Sequence, residues 1–436
     1  MLSPSPEFMP ARTADRLRVL VLGRMFAGLK AGLAAGRWEP AGVPAICRLI
    51  EGLARDPEVD LLNVFTVKER DPRFAKAHRQ TIAGIGGTVI LPYRGWFGAL
   101  RRGNAALTEI DSVARILALA ARFRPHVVYA TYANILPAAL LARGGHRGVV
   151  LRLMGVVPHH REIAAGAHPM FRWFLHSPFA QVVCTEDGSD PAALLPKLLA
   201  PSTPWTVRLN GCDAKPMDAA DIAAFRAAHS LGARPVAVFV GRFEQYKGSL
   251  DFVEAALAVL RAAPDAADFI LVGDGPLRAA MQARVAAAGA NAGARIRFVG
   301  SQPHAEVSRY LGASDIYISI NLYGNLSNAN LEALAAGGCM VIPTSDPSLP
   351  LDTATDALIP ADVALRYDRN RLPDSLTGAL LTLLSAPEAI AERRRRAKIL
   401  AQKLIKPWAQ SAAEDIERLK QIGRLGLASE LLSSRT

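Results

Sequence analysis

The chain is short of thiols and has no paired ones. Four cysteines, Cys47, Cys184, Cys212 and Cys339, are scattered through 436 residues without a CxxC spacing. That pattern excludes a disulfide scaffold and a thiolate zinc centre, and it suits buried, reduced thiols. A spanning segment is missing too: the most membrane-like run, VVYATYANILPAALLA, is interrupted by Pro137 and several polar residues. No apolar signal core precedes the first strand-like run, and no internal repeat or low-complexity tract occurs beyond alanine-rich helices. Zinc-finger spacing, ribonucleoprotein motifs and basic-zipper patterns are absent, which argues against nucleic acid. So are the GxxxxGK[ST] loop and the GxGxxG fingerprint. No residues show metal-ligand spacing, and no metal is expected.

Hydrophobic residues, by contrast, make up 50% of the chain, enough for substantial cores. A length of 436 residues suits two domains. The formal charge of +12 calls for an anionic partner, and phosphorylated substrates or an anionic membrane would serve. The run AERRRRAKILAQKLIKPW (391–408) carries seven Lys or Arg against one Glu, a pattern equally at home on a solvated helix face. In YRGWFGALRRG (93–103), Tyr93, Trp96, Phe97 and Leu100 interleave with Arg94, Arg101 and Arg102, which suits the interface of an anionic bilayer.

Strand-like and helix-like segments alternate. RLRVLVLG opens the series, LLNVFTV, HVVYATY, GVVLRLMG, FAQVVCT and WTVRLNG follow, and the pattern restarts at PVAVFVG. DFILVG, RIRFVG, DIYISI and CMVIPT continue it, and the last fifty or so residues read as helix. The expectation is α/β: two doubly wound Rossmann-like domains facing across a cleft, with parallel sheets covered on both faces. Residues 1–15 are expected to be a flexible extension, 16–207 the first domain, 208–403 the second, and 404–436 helices returning to the first.

Three turns in the second half follow strands and carry the polar residues. VFVGRFEQYKG places Gly241, Arg242 and Lys247 before a helix, where two cations and unpaired amides suit a diphosphate. VGDGP offers Gly273 and Gly275 for close backbone approach and Asp274 as an acceptor. GNLSNANLEALAAG puts Ser327 or Asn328 at a helix start, as caps or as part of a ligand site, with Glu332 one turn beyond. If a phosphate lies over the amides near Leu326–Asn328, a carboxylate one turn on reaches both hydroxyls of a ribose. In the first half, Glu186 and Asp187 either cap a turn or face the cleft, and His159 and His160 form a surface pair or reach into it.

These pieces resemble, in order and spacing, the retaining glycosyltransferases of family 4, the group 1 family with the GT-B fold. The resemblance is most specific from Val240 to Pro343, through GRFEQYKG, LVGDGP, FVGSQPHAEVSRYLGASD and GNLSNANLEALAAGG; upstream, RLNGCD is similar to the segment that opens the family's second domain. It implies that Arg242 and Lys247 bind the donor diphosphate and act in catalysis. It further implies that Glu332 binds ribose, and that Gly241, Gly273, Asp274, Gly300, Asn325, Leu326, Ser327 and Asn328 complete the donor site. The donor would be a UDP- or GDP-sugar, with no tightly bound cofactor. The sequence departs from the family at two places. Gly324 stands where the first glutamate of the E-x7-E motif is usual, and Met154 precedes Gly155 where a histidine is usual. The glycine-rich loop GLKAGLAAGRWEPAG resembles the family's first loop at looser spacing. The implied activity is sugar transfer to an acceptor hydroxyl in glycan, lipopolysaccharide or glycolipid synthesis. It would take place in the cytoplasm or peripherally on the cytoplasmic face of the inner membrane, on a glycan or lipid-linked acceptor. A nucleotide-sugar epimerase and a non-catalytic glycan- or sugar-nucleotide-binding protein are the alternatives.

Overall fold

In the computed structural model, residues 16–94, 101–346 and 348–433 are described. The expected N-terminal extension, and Trp96, Phe97 and Leu100 of the aromatic-basic turn, lie outside them.

Two compact units account for the chain. The first takes the residues up to Thr185, then 191–208, and the chain from Trp408 onward; the second takes Glu186–Asp190 and Leu209–Pro407. Eight strands build the sheet of the first unit: β1 (Leu17–Arg24), β2 (Val59–Thr66), β3 (His78–Ile82), β4 (Gly86–Leu91), β5 (Val127–Thr131), β6 (Val149–Leu153), β7 (Gln181–Thr185) and β8 (Trp205–Arg208). Their order is β3-β4-β2-β1-β5-β6-β7-β8. All pairs are parallel except β3–β4. Apolar runs without alternation produce this, because both faces of a parallel strand are covered: Val19, Leu20, Val21 and Leu22 are all fully buried. The exception, β3, reads HRQTI, and only Ile82 is buried. It is a polar edge strand, so no apolar run announces it.

The glycine-rich segment after β1 is not an open loop. Ala27–Ala34 is helical, and Gly28 packs directly on the Ala41 carbonyl, leaving no space for a side chain. At the other end of the chain, the helix Trp408–Ser433 packs on Pro44–Arg55 within the first unit. Ile416 and Leu419 enter the core there, and Lys420 pairs with Asp56 at 2.7 Å and Glu58 at 3.0 Å.

The second unit holds β9 (Val236–Val240), β10 (Asp268–Val272), β11 (Ile296–Gly300), β12 (Ile316–Ile318), β13 (Cys339–Pro343) and β14 (Ala364–Tyr367), in the order β11-β10-β9-β12-β13-β14 and parallel throughout. The order changes direction between β9 and β12, and ligands of this architecture lie beyond the carboxyl ends of strands at such a point. The basic helix Pro387–Leu404 packs on Asn328–Ala335 through a face that buries Ala397 and Ala401. Its arginines are engaged: Arg394 with Asp315, Arg395 and Arg396 with Glu392, and Arg393 with the Ala361 carbonyl. Arg94 of the first unit likewise pairs with Asp111 at 3.0 Å, and Tyr93 packs against the apolar core.

Candidate functional site

Beyond the ends of β9 and β12 lies a cavity of about 280 Å³, lined by Gly241, Lys247, Tyr317, Ser319, Asn321, Ser327, Asn328 and Ala329, among others. Larger hollows exist, including one of about 580 Å³ around Arg226, Asp315 and Arg394, but that one lies at the amino ends of β9 and β12, opposite the ends where ligands of this architecture bind. In that hollow the two arginines already share Asp315.

Lys247 sits at the end of a short helical turn, Gln245–Lys247, followed by Gly248 in a left-handed conformation with φ 64°. Burial pulls the Lys247 ammonium below its ordinary pKa, against the opposing pull of the nearby Asp187 and Glu244 carboxylates. Among the described residues its ammonium has no hydrogen bond or ion pair, and its cationic contact is with the Tyr246 ring at 5.2 Å. A half-buried cation without a counter-ion is costly unless an anion arrives. Arg242 is placed differently. Its guanidinium is turned outward and pairs with Glu244 at 2.6 Å. Such an exposed pair is worth about 1 kcal/mol or less and opens cheaply.

The helix Asn328–Ala335 points its N-terminus at the cavity through Asn328 and Ala329. Ser327 occupies the capping position with extended backbone, yet its side chain does not cap. The Ser327 hydroxyl donates to Asn330 Oδ1 at 2.8 Å instead. The first-turn amides are thereby left without a side-chain cap, as an anion site requires. Asn328 Oδ1 accepts from Asn210 Nδ2 at 2.8 Å.

Asn325 and Asn330 are fully buried, and they hold the loop in shape. Asn325 Oδ1 accepts from the Ser319 hydroxyl at 2.7 Å, and its Nδ2 donates to Asp352 at 2.9 Å. Asn330 Oδ1 accepts from the Tyr317 hydroxyl at 2.9 Å, and Asp352 pairs with Arg369. Leu326 is buried in the apolar core of the unit. What this loop offers a ligand is therefore backbone, Ser327 and Asn328, while the Asn325 and Leu326 side chains anchor it from behind.

Gly324 has φ 84°, and a Cβ there would stand 2.3 Å from the Asp187 carbonyl oxygen. A glutamate at this position has no room. The segment responsible is Glu186–Asp190, which leaves β7 and joins the second unit. The Leu326 amide donates to the Asp187 carbonyl at 3.0 Å, and the Asp352 amide donates to the Gly188 carbonyl. Burial raises the Glu186 carboxyl to about 7 and the Asp187 carboxyl to about 6. Nothing in the sequence signalled this docking, because it joins positions far apart in the chain.

Glu332 is 8% exposed, and burial raises its carboxyl to about 7. Its ionic neighbour is His304 Nδ1, 3.8 Å away. Gly273 and Gly275 make the GDGP turn possible, but the close approach is by protein backbone: a Cβ on Gly273 would stand 1.9 Å from the Gly241 carbonyl oxygen. Asp274 is held by the Gly275 amide and by Arg278 at 2.7 Å. Gly300 ends β11 with φ 74°.

In the first unit, Met154 is exposed after β6. His160 is buried, its Nδ1 accepts from the Val157 amide at 3.2 Å, and burial lowers it to about 4, so it is neutral. Its ring meets Tyr132 edge-on at 4.5 Å.

Residues 234–385 match the family model described as Glycosyl transferases group 1. Within the second unit, the chain is therefore similar to the group 1 glycosyltransferases. A 2-deoxystreptamine glucosyltransferase of Streptomyces kanamyceticus is 37% identical over 103 residues, 24% of this chain and 26% of that protein. A 2-deoxystreptamine N-acetyl-D-glucosaminyltransferase of Streptomyces fradiae is 38% identical over 106 residues, 24% of each chain. The matched region thus spans about a quarter of these relatives. Solved structures extend the likeness in fold over nearly the whole chain. Sucrose-phosphate synthase from Thermosynechococcus elongatus superposes with a TM-score of 0.70 at 18% identity, covering 93% of this chain and 99% of that one. HepE from Anabaena, solved in complex with UDP, gives 0.65 at 14% identity, covering 96% and 100%. The fold class is that of the GT-B glycosyltransferases.

Proposed function

We propose that the protein is a retaining glycosyltransferase that moves a sugar from a nucleoside diphosphate donor to an acceptor hydroxyl. The observation that carries this reading is the Lys247 ammonium, half-buried and without an ion pair among the described residues, on a cavity that also receives an uncapped helix N-terminus. A leaving diphosphate gathers negative charge as the sugar bond breaks. Lys247 and the amides of Asn328 and Ala329 meet that charge, and Arg242 joins them by exchanging Glu244 for phosphate. Glu332, in the next helical turn, takes the ribose hydroxyls once it is ionised. Gly241, Gly273, Asp274 and Gly300 shape the surrounding strand ends. A leaving phosphate oxygen accepts the acceptor proton on the same face, so no protein nucleophile is required.

The donor class is a UDP- or GDP-sugar; the UDP complex of a structural neighbour supports the first. The acceptor is a glycan or lipid-linked glycan handled at the cytoplasmic face of a membrane. No helix among the described residues is long and apolar enough to cross a bilayer, so attachment would be peripheral, through Trp96, Phe97, Arg101 and Arg102. Thermal-shift titration with UDP, GDP and their sugars, followed by transfer of a labelled donor sugar, tests the reading. Stabilisation by a nucleoside diphosphate with transfer to an acceptor supports it; sugar inversion without transfer indicates an epimerase, and binding without turnover a non-catalytic protein.

A further inference from the structure

We propose that His159, Glu162 and His168 of the first unit form a binding site for a divalent transition-metal ion of the zinc class, independent of the donor cavity. Glu162 Oε2 lies 3.1 Å from His168 Nε2 and 3.7 Å from His159 Nδ1. All three ligand atoms fall within 4.8 Å of one another. An ion bonded at about 2.0–2.2 Å to tetrahedrally placed nitrogen and oxygen donors sets those donors roughly 3.3–3.5 Å apart. The separations from Glu162 Oε2 bracket that figure, and the remaining His159–His168 separation, within 4.8 Å, is brought to it by side-chain rotation.

The local fold explains why the three converge. His159 and Glu162 are three apart on the helix Pro158–Ala164 and share a face. The chain then doubles back, with the Ala167 amide donating to the Glu162 carbonyl at 2.9 Å. His168 follows in a left-handed conformation, φ 55°, which a non-glycine residue adopts at a cost. The His159 ring is set edge-on against Phe171 at 4.9 Å and lies 4.6 Å from the His168 ring. A plain imidazole–carboxylate pair needs only His168. It gives no reason for a second imidazole to face the same carboxylate oxygen. All three side chains are partly exposed, which lets an ion enter and leaves a coordination position for water. A bound ion would staple the turn after β6. The sequence concealed the site because His168 lies beyond the helix that carries the histidine pair.

The test uses the full chain stripped of metal by chelator and titrated calorimetrically with Zn²⁺ alone, with Co²⁺ absorption as a spectroscopic reporter. One ion per chain is expected, reversible by chelator. At least a tenfold loss of affinity is expected in each of His159→Ala, Glu162→Gln and His168→Ala. Melting curves confirm that these surface variants fold. Failure of the parent chain to bind Zn²⁺ saturably, or unchanged binding in all three variants, overturns the proposal. Neither result bears on the donor site, which lies in the other unit.

Discussion

The strand ends of the two sheets differ in charge. At the ends of β9 and β12 the second unit keeps a Lys247 ammonium without an ion pair among the described residues, and in the helix beyond them Glu332 is a buried carboxyl raised to about 7. At the ends of β5 and β6 the first unit places Tyr132, raised to about 12, and His160, lowered to about 4, both uncharged at neutral pH. Their Tyr132 Oη and His160 Nε2 atoms are buried without hydrogen-bond partners among the described residues. On the proposed function, the former end would receive a charged ligand whose arrival offsets burial, and the latter neutral polar groups such as hydroxyls. The contrast suits a donor that carries phosphate and an acceptor that does not.

The sharpest way to break the contrast is to give the second unit the carboxylate it lacks. Gly324→Glu is expected to destabilise the chain by about 3–4 kcal/mol, combining left-handed backbone strain with the lost bond between the Leu326 amide and the Asp187 carbonyl. A lower urea midpoint at unchanged slope checks it. A stable variant with increased donor turnover would show that the Asp187 loop yields, and that Gly324 is only a substitution.

Next comes the cation. Lys247→Ala should weaken nucleoside diphosphate binding by about 1.5–3 kcal/mol and cut turnover at least as much. Because burial already disfavours the charged form, Lys247→Met is expected to melt no lower than the parent. Equal diphosphate affinity in a folded Lys247→Ala protein would remove the proposed clamp.

Glu332 gives an effect that appears only at high pH. Its folded value lies above the unfolded one, 4.5 rising to about 7, so the folded state holds the proton more tightly. Stability from this group is therefore full below about 4.5 and is lost as pH rises through about 7. Glu332→Gln removes that loss and should gain up to about 3 kcal/mol over the parent at pH 8, and nothing near pH 4. Donor affinity should move the other way, rising in the parent as Glu332 ionises and staying flat in the variant. Melting and calorimetry across pH 4–8 read both; a pH-independent difference would leave Glu332 without the proposed role.

Most strands of both sheets were legible because they are apolar runs, as VAVFV of β9 shows, whereas β4 and β14, broken by glycine or arginine, were not among the runs read. Lys247 and the helix start at Asn328 were legible for a related reason: glycine bends and polar residues follow those runs at short range. Three things were hidden. The edge strand β3 is polar and short. The Ser327 hydroxyl turns to Asn330 because Tyr317 and Asn325 fix that amide, a network no spacing rule encodes. The Asp187–Gly324 contact depends on a loop leaving one unit to join the other, so Gly324 read as a missing residue when it is a required one.

The smallest effect concerns the basic surface of the first unit. Arg94 entered the sequence reading as a membrane cation, but its guanidinium is bound to Asp111, and its amide donates to the Thr108 hydroxyl at 2.8 Å. Tyr93 is likewise committed to the core. Any attachment to anionic lipid must then rest on Trp96, Phe97 and the arginines that follow. Each free cation near such a surface contributes about 1 kcal/mol, so replacing Arg101 and Arg102 together should reduce liposome flotation roughly thirtyfold at low salt. Arg94→Ala should leave flotation unchanged and cost about 1 kcal/mol or less of stability through the lost Asp111 pair. The two variants separate a structural arginine from a lipid-facing pair in one assay. If Arg94→Ala weakens flotation as much as the double variant, the Asp111 pair is exchanged for lipid on binding. If neither variant changes flotation, the basic surface serves no membrane, and the acceptor is met in solution.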